Sequence, residues 1–199
     1  MYMAPPYHGH ERIFKAARVG NQNGTIPLVG HTSSNLKESI MIREMLGIAE
    51  GILQDLHNDH GEVDTLLGKI MDSEDGAERT ALFAEMKSKL LPHLEAEQEV
   101  LYQRLKAGKS EESRRYGVEG ASEHSIAEQQ VEKISGLRNP MSDEWTAELK
   151  VLQDLIEHHV GEEESTGFSC ARDEFTKEQL EAMSQQFRAR KARLTTGVA

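Results

Sequence analysis

The sequence predicts an all-α protein: an up-down-up-down antiparallel four-helix bundle with an N-terminal arm and an extra C-terminal helix. Three observations carry this. Apolar residues recur at alternating steps of three and four through four successive stretches. Short breaks rich in Gly, Ser, Asn, Asp or Pro separate those stretches, at 72–76, 107–110 and 138–142. Of 199 residues, 29% are charged, only 5% are aromatic and five are proline, a mix that suits amphipathic helices better than sheets.

Residues 1–35 form the arm. They hold three of the five prolines (Pro5, Pro6, Pro27) and four glycines, with few aliphatics and at most one short helix over 11–19. Their histidines, His8, His10 and His31, sit among turn formers and read as solvated. The bundle spans 36–170. Its first stripe is Leu46, Ala49, Leu53, Leu56, His60, Val63, Leu67 and Ile70; its second is Phe83, Met86, Leu90, His93, Glu97 and Val100. A weaker third runs through Ala121, His124, Ala127 or Glu128, Val131 and Ile134, and a clear fourth through Trp145, Leu149, Leu152, Ile156, His159 and Glu163. Residues 171–199 form the last segment, where Leu180, Met183 and Phe187 share a face and Arg188, Arg190, Lys191 and Arg193 make a basic end suited to the helix dipole.

Composition narrows function. With 23 basic and 34 acidic residues the net charge is −11, which weighs against a nucleic-acid partner. The single cysteine, Cys170, can form neither an internal disulfide nor a thiolate zinc site. No apolar run approaches a membrane span and no secretion signal is visible, so the chain reads as soluble and cytoplasmic, a monomer or homodimer.

The informative feature is that every stripe is interrupted by one histidine. His60, His93, His124 and His159 each lie 14–19 residues from the nearest turn centre. At about 1.5 Å rise per residue they therefore converge on one level of the bundle. His57 and His158 fall off the stripes. Glu97 and Glu163 follow His93 and His159 by four residues, one turn further along the same face. His60 with Asp64 and His124 with Glu128 share that spacing, although Val63 and Ala127 compete for the inward position. One inward histidine is ordinarily a hydrogen-bonded core residue; four at one level with two carboxylates are costly without a cation. Neutral imidazole and carboxylate are both good metal ligands. Six or more such donors exceed a tetrahedral structural zinc site and suit two metals sharing carboxylates. The Glu-x-x-His spacing of ferritin-like bundles is absent from all four stripe histidines, as is His-Glu-x-x-His.

Asp59-His60-x-x-Val63, His93-x-x-x-Glu97, Glu123-His124 and His159-x-x-x-Glu163, in that order, resemble the hemerythrin-like HHE cation-binding domain over about 37–168. The C-terminal segment is similar to the extra helix of many bacterial members. The resemblance implies two iron ions, oxo- or hydroxo-bridged. One iron would be held by the imidazoles of each helix pair, with Glu97 and Glu163 bridging. Oxygen-carrying hemerythrins have a fifth histidine and an Asp in place of one Glu. Carboxylates stand at the extra positions here, so Glu128, and less so Asp64, enter the ligand set, and reversible oxygen storage is disfavoured. The reading that follows is a binder or sensor of dioxygen, nitric oxide or peroxide in oxygen, redox or oxidative-stress response. A peroxide-degrading enzyme with weak peroxidase or catalase-like activity, and an iron-sensing or iron-handling protein, stay open beside it. Pro92, just before His93, should bend the second helix. Tyr102 and Phe168 read as core plugs at the bundle end, and Glu162 and Glu164 as wet flanks of Glu163.

Overall fold

A computed structural model of the chain describes residues 50–197. The arm, its expected helix over 11–19 and the stripe positions Leu46 and Ala49 lie outside the described residues. Those described are helical with no strand. The bundle is built from α1 (Ile52–Asp72), α2 (Gly76–Glu97), α4 (Glu111–Ser135) and α5 (Asp143–Glu162). Two of these do not stop where their α-helical geometry ends. α2 passes through a π-helical turn, Gln98–Tyr102, into the short α3 (Gln103–Lys106). α5 passes through a second, Glu163–Gly167, into α6 (Phe168–Glu174). The last helix is α7 (Lys177–Thr196).

Starts are set by side-chain caps. Asp75 accepts from the backbone N–H groups of Ala77 and Glu78, Ser110 from Ser113 and Ser142 from Trp145. Thr176 and Gln179 form a reciprocal capping box at α7. Pro92 lies inside α2 without ending it. At one end of the bundle the buried Arg79 donates to the carbonyls of Ile70 (3.0 Å) and Pro140 (2.7 Å) and stacks on Trp145, joining three helices.

The stripe residues described are buried except Ala121, which is half-buried, and Ala127 rather than Glu128 takes the inward place on α4. They form two apolar clusters. One gathers Leu53, Leu56, Val100, Leu101, Tyr102 and Phe168; the other gathers Val63, Leu67, Met86, Leu90, Leu149 and Ile156. Between them, at the level of His60, lies a polar layer. α7 lies on α1 and α2. Gly51 makes this approach possible at the start of α1: its φ is +57°, and a Cβ there would sit 2.5 Å from the Leu180 backbone. Among the described residues no helix is long and apolar enough to cross a membrane.

Candidate metal centre

His60, His93, His124, His159, Glu97 and Glu163 are all buried, and both carboxylates are fully inaccessible. The rings stand in two pairs. His60 of α1 meets His93 of α2 edge-on with centroids 5.2 Å apart; His124 of α4 meets His159 of α5 at 4.7 Å.

Each ring is anchored through the same nitrogen. Nδ1 of His60 lies 2.9 Å from Glu164, that of His93 3.0 Å from Asp59, and that of His159 2.7 Å from Glu123. Nδ1 of His124 lies 3.1 Å from the Leu94 carbonyl. A carbonyl and ionised carboxylates only accept, so each Nδ1 is the donor and each Nε2 of a neutral ring keeps a lone pair. Such outward hydrogen bonds fix the tautomer and orientation of metal-binding imidazoles.

The four Nε2 atoms face inward onto two carboxylates. Glu97 Oε2 is 3.4 Å from His93 Nε2 and 3.5 Å from His124 Nε2. Glu163 Oε2 is 3.1 Å from His60 Nε2 and 3.8 Å from His159 Nε2. Each carboxylate thus reaches one imidazole from either pair. The Nε2 atoms of His124 and His159 are 3.1 Å apart, which sets two lone pairs against each other.

Among the described residues, the buried side-chain polar atoms without a hydrogen bond are His60 Nε2, both Glu97 oxygens, Glu163 Oε2 and the Tyr116 hydroxyl. All but the last belong to this cluster. Orphaned acceptors gathered in an apolar interior are what a cation satisfies. Glu97, His124 and His159 each offer a ligand atom, all within 4.8 Å of one another.

In the metal-free chain protons take up part of the strain. Burial, reinforced by the charge of Glu163, pushes the Glu97 carboxyl well above the usual range. Burial also opposes ionisation of Glu163, but the neighbouring Glu97 carboxyl and the His60 charge hold it well below that range. Burial works against a charge on His60 as well, yet Glu163 and Glu164 raise it to about 9. Burial and the neighbouring His159 push His124 well down; burial and His60 lower His93.

The residues that match this site form the hemerythrin HHE cation binding domain over 51–171. The chain belongs to that family. The HHE domain is a metal-cation-binding helical domain, and the bundle carries it with an added C-terminal helix. A similar protein is the DNA nickase of Nostoc sp. (strain PCC 7120 / SAG 25.82 / UTEX 2576), 30% identical over 136 residues. That match covers 68% of this chain, and the chain spans 38% of that relative's length. No solved structure matches.

Glu128 and Asp64 are not brought to the cluster: both are exposed on the outer faces of the HHE domain's helices. His57 and His158 are exposed too, but each touches the carboxylate that anchors its neighbour. His57 Nδ1 is 2.9 Å from Glu164 and His158 Nε2 is 3.7 Å from Glu123. Those anchors were not legible from helical phase. Glu164 is a half-buried partner of His60 rather than a wet flank, because the π-helical turn beginning at Glu163 departs from α-helical phase. Tyr102 fills the core as expected, and its hydroxyl also donates to Glu163 Oε1 at 3.0 Å. The signal for Asp59 and Glu123 was their place directly before a stripe histidine. Cys170 is buried at the bundle end, and burial raises its thiol.

Proposed function

We propose that the HHE domain of this chain holds two iron ions and uses them to bind dioxygen, nitric oxide or peroxide in redox or oxygen sensing. His60 and His93 would hold one ion, His124 and His159 the other, with Glu97 and Glu163 shared. The observation that carries this reading is the common polarity of the four rings: every Nδ1 is anchored outward and every Nε2 faces a carboxylate shared between pairs.

A pair of irons held by these residues would supply one-electron chemistry. The chain's own residues do the rest. Tyr102 holds Glu163, and the outer acceptors on Nδ1 orient the rings with Nε2 inward. A cavity of about 200 Å³ leads to His124 and His159 between α4 and α5, lined by Leu94, Ile126, Ala127, Leu155 and Ile156. Its apolar wall suits small uncharged ligands better than anions. DNA nicking stays with the longer relative. A net charge of −11 repels a phosphate backbone, and Arg188, Arg190 and Lys191 of the basic last helix are already paired with carboxylates.

Metal analysis of the purified chain tests the reading first. Two irons per chain are expected, with near-ultraviolet absorption and no haem Soret band; one zinc or no metal after iron loading removes it. A stoichiometric, reversible spectral change with nitric oxide supports the binder. Sustained oxygen evolution from peroxide, lost in His124→Ala, would move the reading to the enzyme.

A further inference from the structure

The two imidazole pairs do not have the same surroundings, and only the pair of His60, resting on Glu164, and His93 is reached by α7. Phe187 is buried with its ring edge on His93, centroids 5.7 Å apart at 90°. One turn on, Lys191 pairs with Asp59, the carboxylate that accepts from His93 Nδ1. The Lys191 ammonium lies 5.3 Å from the Phe187 ring. On the other side, Glu123 anchors His159, and its ion pairs are with His159 and His158; His124 rests on a neutral carbonyl.

Resting on the di-iron reading, we infer that α7 is part of the metal centre and that Lys191, acting through Asp59, is a positioning residue that raises the reduction potential of the iron His93 would hold. A carboxylate on Nδ1 makes the imidazole a stronger donor through Nε2, which favours the ferric state. An ammonium on that carboxylate weakens its pull. An iron held by His60 and His93, whose rings both rest on carboxylates, would therefore have a higher reduction potential with Lys191 in place than without it. Both partners are partly shielded, with Asp59 17% and Lys191 28% exposed, so solvent does not screen the effect fully.

The plainer role for Lys191 is to tack α7 down. Arg190 does that equally well, pairing with Glu95 (2.6 Å) and Glu99 (2.7 Å), and touches no anchoring carboxylate. The test is therefore a reductive titration of the iron-loaded chain, followed optically and by Mössbauer spectroscopy, in wild type, Lys191→Met, Lys191→Arg and Arg190→Gln. Lys191→Met should keep two irons. At the potential where the wild-type iron is half reduced, one of the two reduction steps should show a ferric-to-ferrous ratio about tenfold higher, equivalent to about 59 mV for one electron, with the other step unmoved. Lys191→Arg and Arg190→Gln should stay at the wild-type value. An unchanged Lys191→Met titration overturns the inference, as does an equal shift in Arg190→Gln or loss of iron from a folded Lys191→Met. Should Lys191→Met fail to fold, Lys191→Gln carries the same expectation. Iron content is measured first, so a wild-type chain without two irons fails the di-iron reading, and this inference with it, before any titration begins.

Discussion

Tyr102 belongs at once to the core and to the site, and glycine is what lets it do so. A Cβ on Gly120 would lie 2.7 Å from the Tyr102 ring, so the helix opposite leaves a notch for that ring. From there the hydroxyl reaches Glu163 Oε1 at 3.0 Å. Tyr102→Phe keeps the ring but strips a buried carboxylate of its donor, which costs about 1–3 kcal/mol. Denaturant unfolding of the metal-free chain should register that loss with iron content unchanged; an undiminished midpoint would deny Glu163 its dependence on the hydroxyl. Gly120→Ala should do more, since the ring itself must move. Among the histidines, alanine at 60, 93, 124 or 159 should lower bound iron, whereas His57→Ala, His158→Ala and Glu128→Gln should leave two irons per chain. Equal loss at His57 and His60 would mean that the outer partner matters as much as the ligand. The six inward residues were legible in the sequence because each sits on the inward stripe of its helix. Tyr102 was legible as apolar bulk only, since nothing in the spacing tells where a hydroxyl points.

At the scale of elements, the two π-helical turns begin where the α-helical stripes deliver Glu97 and Glu163. Up to those residues the 3.6-residue period holds, which is why sequence phase found them. Past them the π-helical turns depart from that phase, and Glu164 reaches toward α1 where α-helical extrapolation kept it in solvent. Turns of this kind have no residue signature comparable to a cap or a proline, so they had to be seen. The basic end of α7 was legible as charge, but its use was not. Arg188 pairs with Asp55, Arg190 with Glu95 and Glu99, and Lys191 with Asp59, all across helices rather than with the helix dipole. α7 is also where a single cap can be tested. Thr176→Ala removes one half of the capping box and should cost about 1 kcal/mol. Hydrogen exchange should rise first along α7 and along the faces of α1 and α2 beneath it. Uniform loss of protection throughout the bundle would show that α7 and the bundle unfold as one unit.

For the molecule as a whole, the polar layer between two apolar clusters makes stability and metal binding depend on the same protons. In the metal-free chain His60 holds its proton to about pH 9, against 6.5 when unfolded. Between those values the folded chain binds more protons, so its stability falls as pH rises through that window. His93 and His124 are displaced the other way, so in acid the unfolded chain takes up protons first and stability falls as pH drops below 6.5. Glu97, displaced upward, offsets part of that acid-side loss above pH 4.5, and Glu163, displaced downward, adds to the loss below 4.5. Stability of the metal-free chain should therefore peak near pH 6.5. A metal ion at the cluster takes the place of the His60 proton, and ligands must shed protons to bind it. The rise in melting temperature produced by metal should then grow from pH 6.5 to 9 and shrink in acid until the ion is released. Calorimetry at fixed free cobalt(II), or anaerobically with ferrous iron, measures that increment directly. His60→Ala should flatten the alkaline slope, because the proton that competes with the metal is gone. An increment that stays constant from pH 6.5 to 9 in the wild-type chain would take His60 out of the ligand set.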